Sequence, residues 1–490
     1  MYRSAAGPPS GSPPPRPHGG PSHAVLACGD WAGIVGAMAR RRVPSPSGKA
    51  LYRVLAPGRP GVSAEQAAFH QRSRLHGAMV TAVAESGYSA TTVGQVVSLA
   101  GVSRSTFYKH FADKQACFLS TYDVIAAMAT ERITRAYRTP TEPQARLRAG
   151  FQRFAQIIVE EPAAAHLVLV DALGVGHPIL AHRERMTATF ELMLAQSFQA
   201  APEQAHVADT TIKAIIAGIR RVAYRRLLHG HPEQVSEIVD DLLAWALTYH
   251  APGVEPPQRA AIPSAGSRAP EQTPKDSAIK TPKHPDRALH QDTPGAQPSH
   301  RELILQAVIS LTGEGGYGAL SIPAISARAH ISNKTFYANF ADKQQAFLTA
   351  FDQSTSRALQ ITSRSFRAAP DWPSAVKTAI TALLDLIIED HAFAHLAFFA
   401  ILTGGPAAIQ RAEQVLDSVQ AMLAPGYELH PEVPGAISEA IIGGIWNIIQ
   451  YEIGHGRAEQ LPGLAGELSY IALVPFLGAK EAAEVATAMR

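Results

Sequence analysis

Residues 103–119 read SRSTFYKHFADKQACFL, and residues 332–348 read SNKTFYANFADKQQAFL. The offset is constant at 229, from Thr106 to Thr335 and from Lys114 to Lys343. A long-period repeat decides architecture ahead of any local reading. Aligned without gaps, residues 72–123 and 301–352 share 19 identities over 52 positions. Glu85-Ser86-Gly87-Tyr88 faces Glu314-Gly315-Gly316-Tyr317, and Ile158-Val159-Glu160-Glu161 faces Ile387-Ile388-Glu389-Asp390. His166 and His395 keep the register. Beyond them the offset becomes 226, where Ala214–Ile219 faces Ala440–Ile445 and His229-Gly230 faces His455-Gly456. The repeated unit spans about 190 residues, the size of a compact domain pair. Two such units fill most of the 490-residue chain.

Within each unit the local signals are those of a helix-turn-helix. An apolar helix runs through Leu75, Met79 and Val83 at near i, i+4, i+8 spacing. Gly87 ends it, and Tyr88 plugs the gap beneath. Thr92 is a good N-cap for a helix bearing Val93, Val96, Val97 and Leu99. Gly101 suits a turn that needs positive φ. Ser103 caps a short helix, and Phe107 and Phe111 anchor it to the core. The polar residues between them then face outward, where a major groove can receive them. Asp113 caps the next helix, with Lys114 in its first turn. The second copy caps with Ser321, carries Pro323 in the first helical turn, where proline is tolerated, and has His330 where the first has glycine. It presents Asn333, Lys334, Thr335, Tyr337, Ala338 and Asn339. Replacing Lys109 and His110 by Ala338 and Asn339 changes charge and donor pattern, so two copies that both read bases prefer different half-sites.

Composition sets the bounds. A net charge of +3 and a pI near 8.8 permit nucleic-acid binding without requiring it. Two cysteines, Cys28 and Cys117, exclude a disulfide framework or a Cys-rich zinc site and fit a reducing compartment. No uninterrupted apolar run is long enough to expect a membrane span. The stretch 24–39 is broken by Asp30 and lacks a preceding basic cluster, which argues against a signal peptide. The expected organisation is a low-complexity N-terminal region over 1–58, with a candidate basic arm around 53–61 (Arg53, Arg59). A solvated basic linker is an equal account of that arm. A helix-turn-helix domain follows over 72–132, then a helical domain over 133–250. A Pro-rich linker covers 251–299, and the second pair of domains covers 300–360 and 361–490. As a flexible coil the linker reaches roughly 40 Å, enough for the units to lie side by side.

The pattern Gly-Tyr, Thr-Thr or Leu-Ser, Ala-Gly-Val-Ser, Thr-Phe-Tyr, Phe-x-x-Lys and Phe-Leu resembles the TetR family of bacterial transcription regulators. The second copy departs from it at the Ala-Gly turn. The resemblance implies an all-α fold of two tandem units, each with three DNA-binding helices followed by a helical ligand-binding and dimerisation domain. It implies Arg104, Ser105, Thr106, Lys109 and His110 as base readers, with Thr92, Tyr108 and Lys114 on phosphates. Asn333, Lys334, Thr335 and Asn339 take the first role in copy two, and Ser321, Tyr337 and Lys343 the second. Helix N-termini and lysines beside phosphate suit those roles physically. The partners expected are double-stranded operator DNA, which a repressor occupies, and a small-molecule effector that releases the regulator from it. No cofactor, metal or membrane is expected, and the location implied is the bacterial cytoplasm, at the nucleoid.

The remaining halves read as helical. The small pairs Ala217-Gly218 and Gly443-Gly444 mark helices able to approach closely. They make an intramolecular pseudo-dimer the favoured expectation over a homodimer with four heads. Phe393, Phe398, Phe399 and Trp446 either line a pocket in copy two or, more plainly, fill core. His166 and His395 read as satisfied core groups. His177, His182, His229 and His231 lack a carboxylate or cysteine at ligand spacing, so no metal site is expected. The acid pairs Glu160-Glu161 and Glu389-Asp390 read as solvated helix ends. No dinucleotide, Walker, nucleophile-elbow or zinc-protease motif is present, so an enzyme with DNA-binding heads is the weaker alternative. A DNA-binding architectural protein without a ligand is the other.

Overall fold

The computed structural model describes residues 63–200, 207–251, 253–260 and 298–488. The N-terminal region, the candidate arm and most of the linker lie outside them. Among the described residues the chain is all helical, with no strand. The first copy comprises α1 (Ala64–Ala90), α2 (Val93–Ala100), α3 (Arg104–His110), α4 (Lys114–Arg138), α5 (Pro143–Glu160), α6 (Pro162–Leu169), α7 (Ile179–Gln199), α8 (Asp209–Leu228) and α9 (Val239–Thr248). The second comprises α10 (His300–Gly315), α11 (Ile322–Arg328), α12 (Asn333–Asn339), α13 (Lys343–Ala368), α14 (Trp372–Glu389), α15 (His391–Thr403), α16 (Pro406–Gln420), α17 (Ala436–Gly454) and α18 (Ala465–Thr487). The short helices α3/α12 and α5/α14 coincide at both ends when shifted by 229, as Arg104 with Asn333 and Glu160 with Glu389.

Punctuation residues set these boundaries. α1 breaks at Gly87, with φ 73°, and α10 stops at Gly316, with φ 66°, a left-handed region open to glycine at little cost. Each head then closes on a separate apolar core. Leu75, Met79, Phe107 and Phe118 fill the first, and Ile304, Val308, Phe336 and Phe347 the second. Tyr88 stands edge-on to Phe118 at 4.7 Å, as Tyr317 does to Phe347 at 4.8 Å.

The first head has a buried histidine that the second lacks. His76 lies against Phe111, with Nε2 3.1 Å from Ser120 Oγ, and its equivalent is Leu305. Burial, reinforced by Arg72 and His110, pulls its pKa down to about 4 from 6.5. The neutral ring is the native form, so its stability is intact above pH 6.5 and is lost as pH falls toward 4. The loss is of order 3 kcal/mol in the first head. Urea unfolding at successive pH values should show this slope, and His76→Leu should remove it.

A larger core joins the two copies. α8 and α17 cross at closest approach through glycine. A Cβ on Gly218 would stand 2.5 Å from Ala440 O, and one on Gly444 would stand 2.7 Å from Ala214 O. Residues 214 and 440 are equivalents, as are 218 and 444, so the contact is reciprocal, the mark of two-fold pairing. α9 and α18 complete a four-helix seam, where Tyr249 Oη donates to Ile471 O at 2.7 Å. The helices that carry the two glycine pairs thus pack directly on one another.

Charge on the seam is not symmetric. Arg221 donates to both oxygens of Glu413 at 2.6 and 2.7 Å. Arg225 pairs with Asp417 at 2.8 Å and Arg226 with Glu439 at 3.1 Å. All three arginines come from α8. Their equivalents on α17 are Asn447, Tyr451 and Glu452.

The linker is not a free coil from its first residue. Pro256 and Pro257 are buried, Ala260 N donates to Gly463 O at 3.0 Å, and Arg259 lies 3.3 Å from Glu452. Among the described residues one helical stretch, Ala458–Thr487, is long and apolar enough to cross a membrane, and most of its apolar window is buried inside the protein.

Candidate nucleic-acid interface

Capping builds each reading unit. Gln95 N donates to Thr92 Oγ1 at 3.2 Å while Thr92 N donates to Gln95 Oε1 at 2.8 Å, a reciprocal capping box that starts α2. Gly101, at φ 60° and ψ 42°, ends that helix. Its carbonyl accepts from Arg74 Nη2 at 2.6 Å. Arg74 is itself buried, a strap that the apolar reading of α1 passes over; its signal is a charged residue inside an apolar face. Ser103 Oγ caps Thr106 N at 3.0 Å and lies 2.8 Å from Ser105 Oγ and 2.9 Å from Thr106 Oγ1. Phe107 is fully buried and Phe111 nearly so, which turns the opposite face of α3 outward.

That face sorts the candidates. Arg104, Ser105, Tyr108 and Lys109 are exposed, with Tyr108 at 57%. Thr106 is half-buried and tied to Ser103. His110 is half-buried with Nε2 3.1 Å from Gln71 Oε1, so it is held by α1 rather than offered outward. Lys114 Nζ donates to the Tyr88 and Ser89 carbonyls at 2.9 and 3.3 Å and sits 4.4 Å over the Tyr88 ring. Burial pushes its pKa down. Its ammonium mainly straps α4 to the end of α1, leaving one of three N–H donors.

Copy two repeats the device with changes. Asn333, Lys334 and Tyr337 are exposed, Tyr337 at 59%. Thr335 is half-buried, and Asn339 Nδ2 turns back to Thr335 O at 2.9 Å. Ser321 caps Ala324 N at 3.2 Å. Lys343 Nζ donates to Leu320 O at 3.0 Å and lies 4.6 Å over Tyr317. The Arg74 strap is absent, its equivalent being Leu303. Instead Arg328 grips both carboxylate oxygens of Glu314 at 2.7 and 2.9 Å. His330 holds φ 55° at the turn, a conformation costly for a side chain bearing Cβ. His330→Gly should therefore stabilise the chain by about 0.5–1 kcal/mol, read from the denaturation midpoint.

Behind each head lies an apolar cavity of about 120 Å³. The first is walled by α4 to α8, and the second by α13 to α17. Phe393, Phe398 and Trp446 do line the second, while Phe399 does not. Glu161 is not a solvated terminus: it is buried on the first cavity's wall, burial raises its pKa, and Oε1 has no hydrogen-bond partner. Glu160 does face outward, pairing with Arg132 and Arg153, and Asp390 caps Phe393 N at 2.8 Å. His166 Nδ1 lies 2.7 Å from Asp171, and His182 Nδ1 lies 2.7 Å from Asp123.

The model of the bacterial regulatory proteins of the tetR family matches residues 80–121 and again 304–349. A comparison with curated proteins finds no significant match. Among solved structures, the fatty acid degradation regulator FadR from Bacillus halodurans is similar at 16% identity and a TM-score of 0.34, covering 37% of this chain and 99% of its own. FadR from Bacillus subtilis, solved with stearoyl-CoA, is 14% identical with a TM-score of 0.32, covering 36% and 97%. A TetR family transcription regulator from Marinobacter aquaeolei is 20% identical with a TM-score of 0.30, covering 36% and 97%.

Proposed function

This chain belongs to the tetR family of bacterial regulatory proteins, with two units in one polypeptide, and from that premise we propose that it is a repressor acting as a covalent pseudo-dimer. Its DNA-binding regulator character comes with the family. One chain supplies both reading helices, and an effector entering the apolar cavities releases it from DNA. Arg104, Ser105, Tyr108 and Lys109 of the first head, with Asn333, Lys334 and Tyr337 of the second, touch DNA in this reading. Thr92 and Ser321 bring helix N-termini to phosphates. Thr106, His110, Thr335, Asn339, Lys114 and Lys343 shape the surface more than they reach beyond it.

The observation that carries the pseudo-dimer is the one-sided charge of the seam. Two α8 helices from separate chains crossing in the same way would set Lys213, the equivalent of Glu439, opposite Arg225 and Arg226 in place of that carboxylate. Like charges at an interface cost several kcal/mol against the wrong partner. The α8–α17 pairing within one chain removes that repulsion. Selection of bound fragments from a random double-stranded DNA pool by the full-length chain, with mass measured in solution, tests the reading. One chain per selected site is expected, with two non-identical half-sites. Two chains per site, or no selection of sequence, overturns it.

A further inference from the structure

The two cavities have come to differ in one respect that chemistry can read. The second is lined by no charged residue. The first has three on its wall, Arg132, Glu161 and Arg220. Arg132 and Glu161 lie 4.0 Å apart and offset each other. Arg220 has no carboxylate within ion-pair distance among the described residues. Its Nη2 donates to a neutral amide, Asn447 Oδ1, at 2.7 Å across the seam. Arg183 beside it is held likewise, by Gln450 Oε1 at 2.6 Å. Burial, then the neighbouring Arg183, both act against the charge on Arg220. Glu191 and Tyr122 act only through space. A recessed guanidinium satisfied by amides alone is an open invitation to an anion, because charge-assisted hydrogen bonds are about twice as strong as neutral ones.

Arg220 also stands where spaces meet. It lines the first apolar cavity, and it lines a polar cavity at the seam that shares Thr187 and Ile216 with it. That seam cavity further holds Lys213, Glu184, Glu191 and His455. At the equivalent position, 226 residues on, the second unit has Trp446, stacked on Phe398 at 4.2 Å between ring centres. The position that carries a cation in one unit carries an apolar plate in the other.

We infer that the first unit's cavity takes an amphiphilic carboxylate, its apolar chain among Phe151, Phe154, Ile158 and Phe190 and its head group on Arg220, while the second unit's cavity takes none. This rests on the reading of the cavities as effector sites and narrows it to one ligand per chain. The head group competes with Asn447 for the same guanidinium, so binding in the first unit loosens a contact to the second. The ligand is thereby coupled to the seam that holds the two heads in register.

Calorimetry of the full-length chain without DNA tests this with decanoate, 1-decanol and decyltrimethylammonium, the two ions below their micellar concentrations and the alcohol below its solubility limit. Decanoate is expected to bind once per chain, about tenfold or more tighter than decanol, the size of one charge-assisted hydrogen bond. The cation should not bind. Arg220→Gln should cost decanoate about tenfold and leave decanol unchanged. Should that variant not fold, Arg220→Lys keeps the charge and should retain the preference for decanoate over decanol. Two equal sites per chain, no discrimination between acid and alcohol, or discrimination that survives Arg220→Gln would each overturn the inference. A chain that selects DNA yet ignores decanoate sinks this inference alone, and one that binds decanoate yet no DNA sinks the regulator reading alone.

Discussion

Replacing Gly218 by leucine is expected to destabilise the chain by about 3 kcal/mol or more and to open the seam between its two copies. The Cβ would meet Ala440 O at 2.5 Å and the Trp245 ring at 2.6 Å, and Ala440 O belongs to the backbone of a helix. A flexible side chain can swing aside, but a helical carbonyl moves only with its helix. α8 and α17 must then separate, taking Tyr249, the Arg221–Glu413 pair and the core between them. Chemical denaturation should show a lower midpoint, and a first transition split from the second as the copies lose their mutual support. Gly318→Ala is the control, because a Cβ there meets nothing within 4 Å. It should change stability by under about 0.5 kcal/mol. Equal effects from both substitutions would mean that the close helix crossing contributes nothing.

The second large effect concerns the heads. Tyr108→Ala and Tyr337→Ala remove the two large side chains most exposed on the reading helices, so folding should hardly notice. Affinity for the selected DNA should fall about tenfold for each, the value of one phosphate hydrogen bond with its packing. The double variant should lose about a hundredfold or more, because two linked heads bind as one event until either fails. Filter binding at fixed salt reads all three, since phosphate contacts depend on salt. If Tyr337→Ala left affinity untouched while Tyr108→Ala reduced it, the second copy would serve as a partner scaffold rather than a reader.

Much of the local structure was legible because its causes are local. Thr92, Ser103, Asp113 and Ser321 cap the helices their side chains suggest, and Ser332 and Asp342 repeat the caps of Ser103 and Asp113 in the second copy. Gly87 breaks the first helix, and Phe107 and Phe111 anchor the third. Exposure and partners within the chain divide the candidate DNA-facing set in a way the sequence does not show. His110 and Lys114 look like free cations in a sequence, yet each finds a partner on a helix 26 or more residues away. No periodicity reports such a partner.

The sequence by itself determined that one helical unit occurs twice, where the helices of its heads are capped and broken, and that the outward residues of the two short helices differ. Those follow from caps, turn glycines and apolar spacing, which act over a few residues. The glycine pairs pointed to a close helix approach, but tertiary structure alone decided which backbone atoms Gly218 and Gly444 meet, that the seam is basic on one side and acidic on the other, and that position 220 meets a cavity as arginine while position 446 meets one as tryptophan. Those depend on which surfaces come together after the chain has crossed some two hundred residues, and shape and charge complementarity at that range leaves no mark in any local pattern.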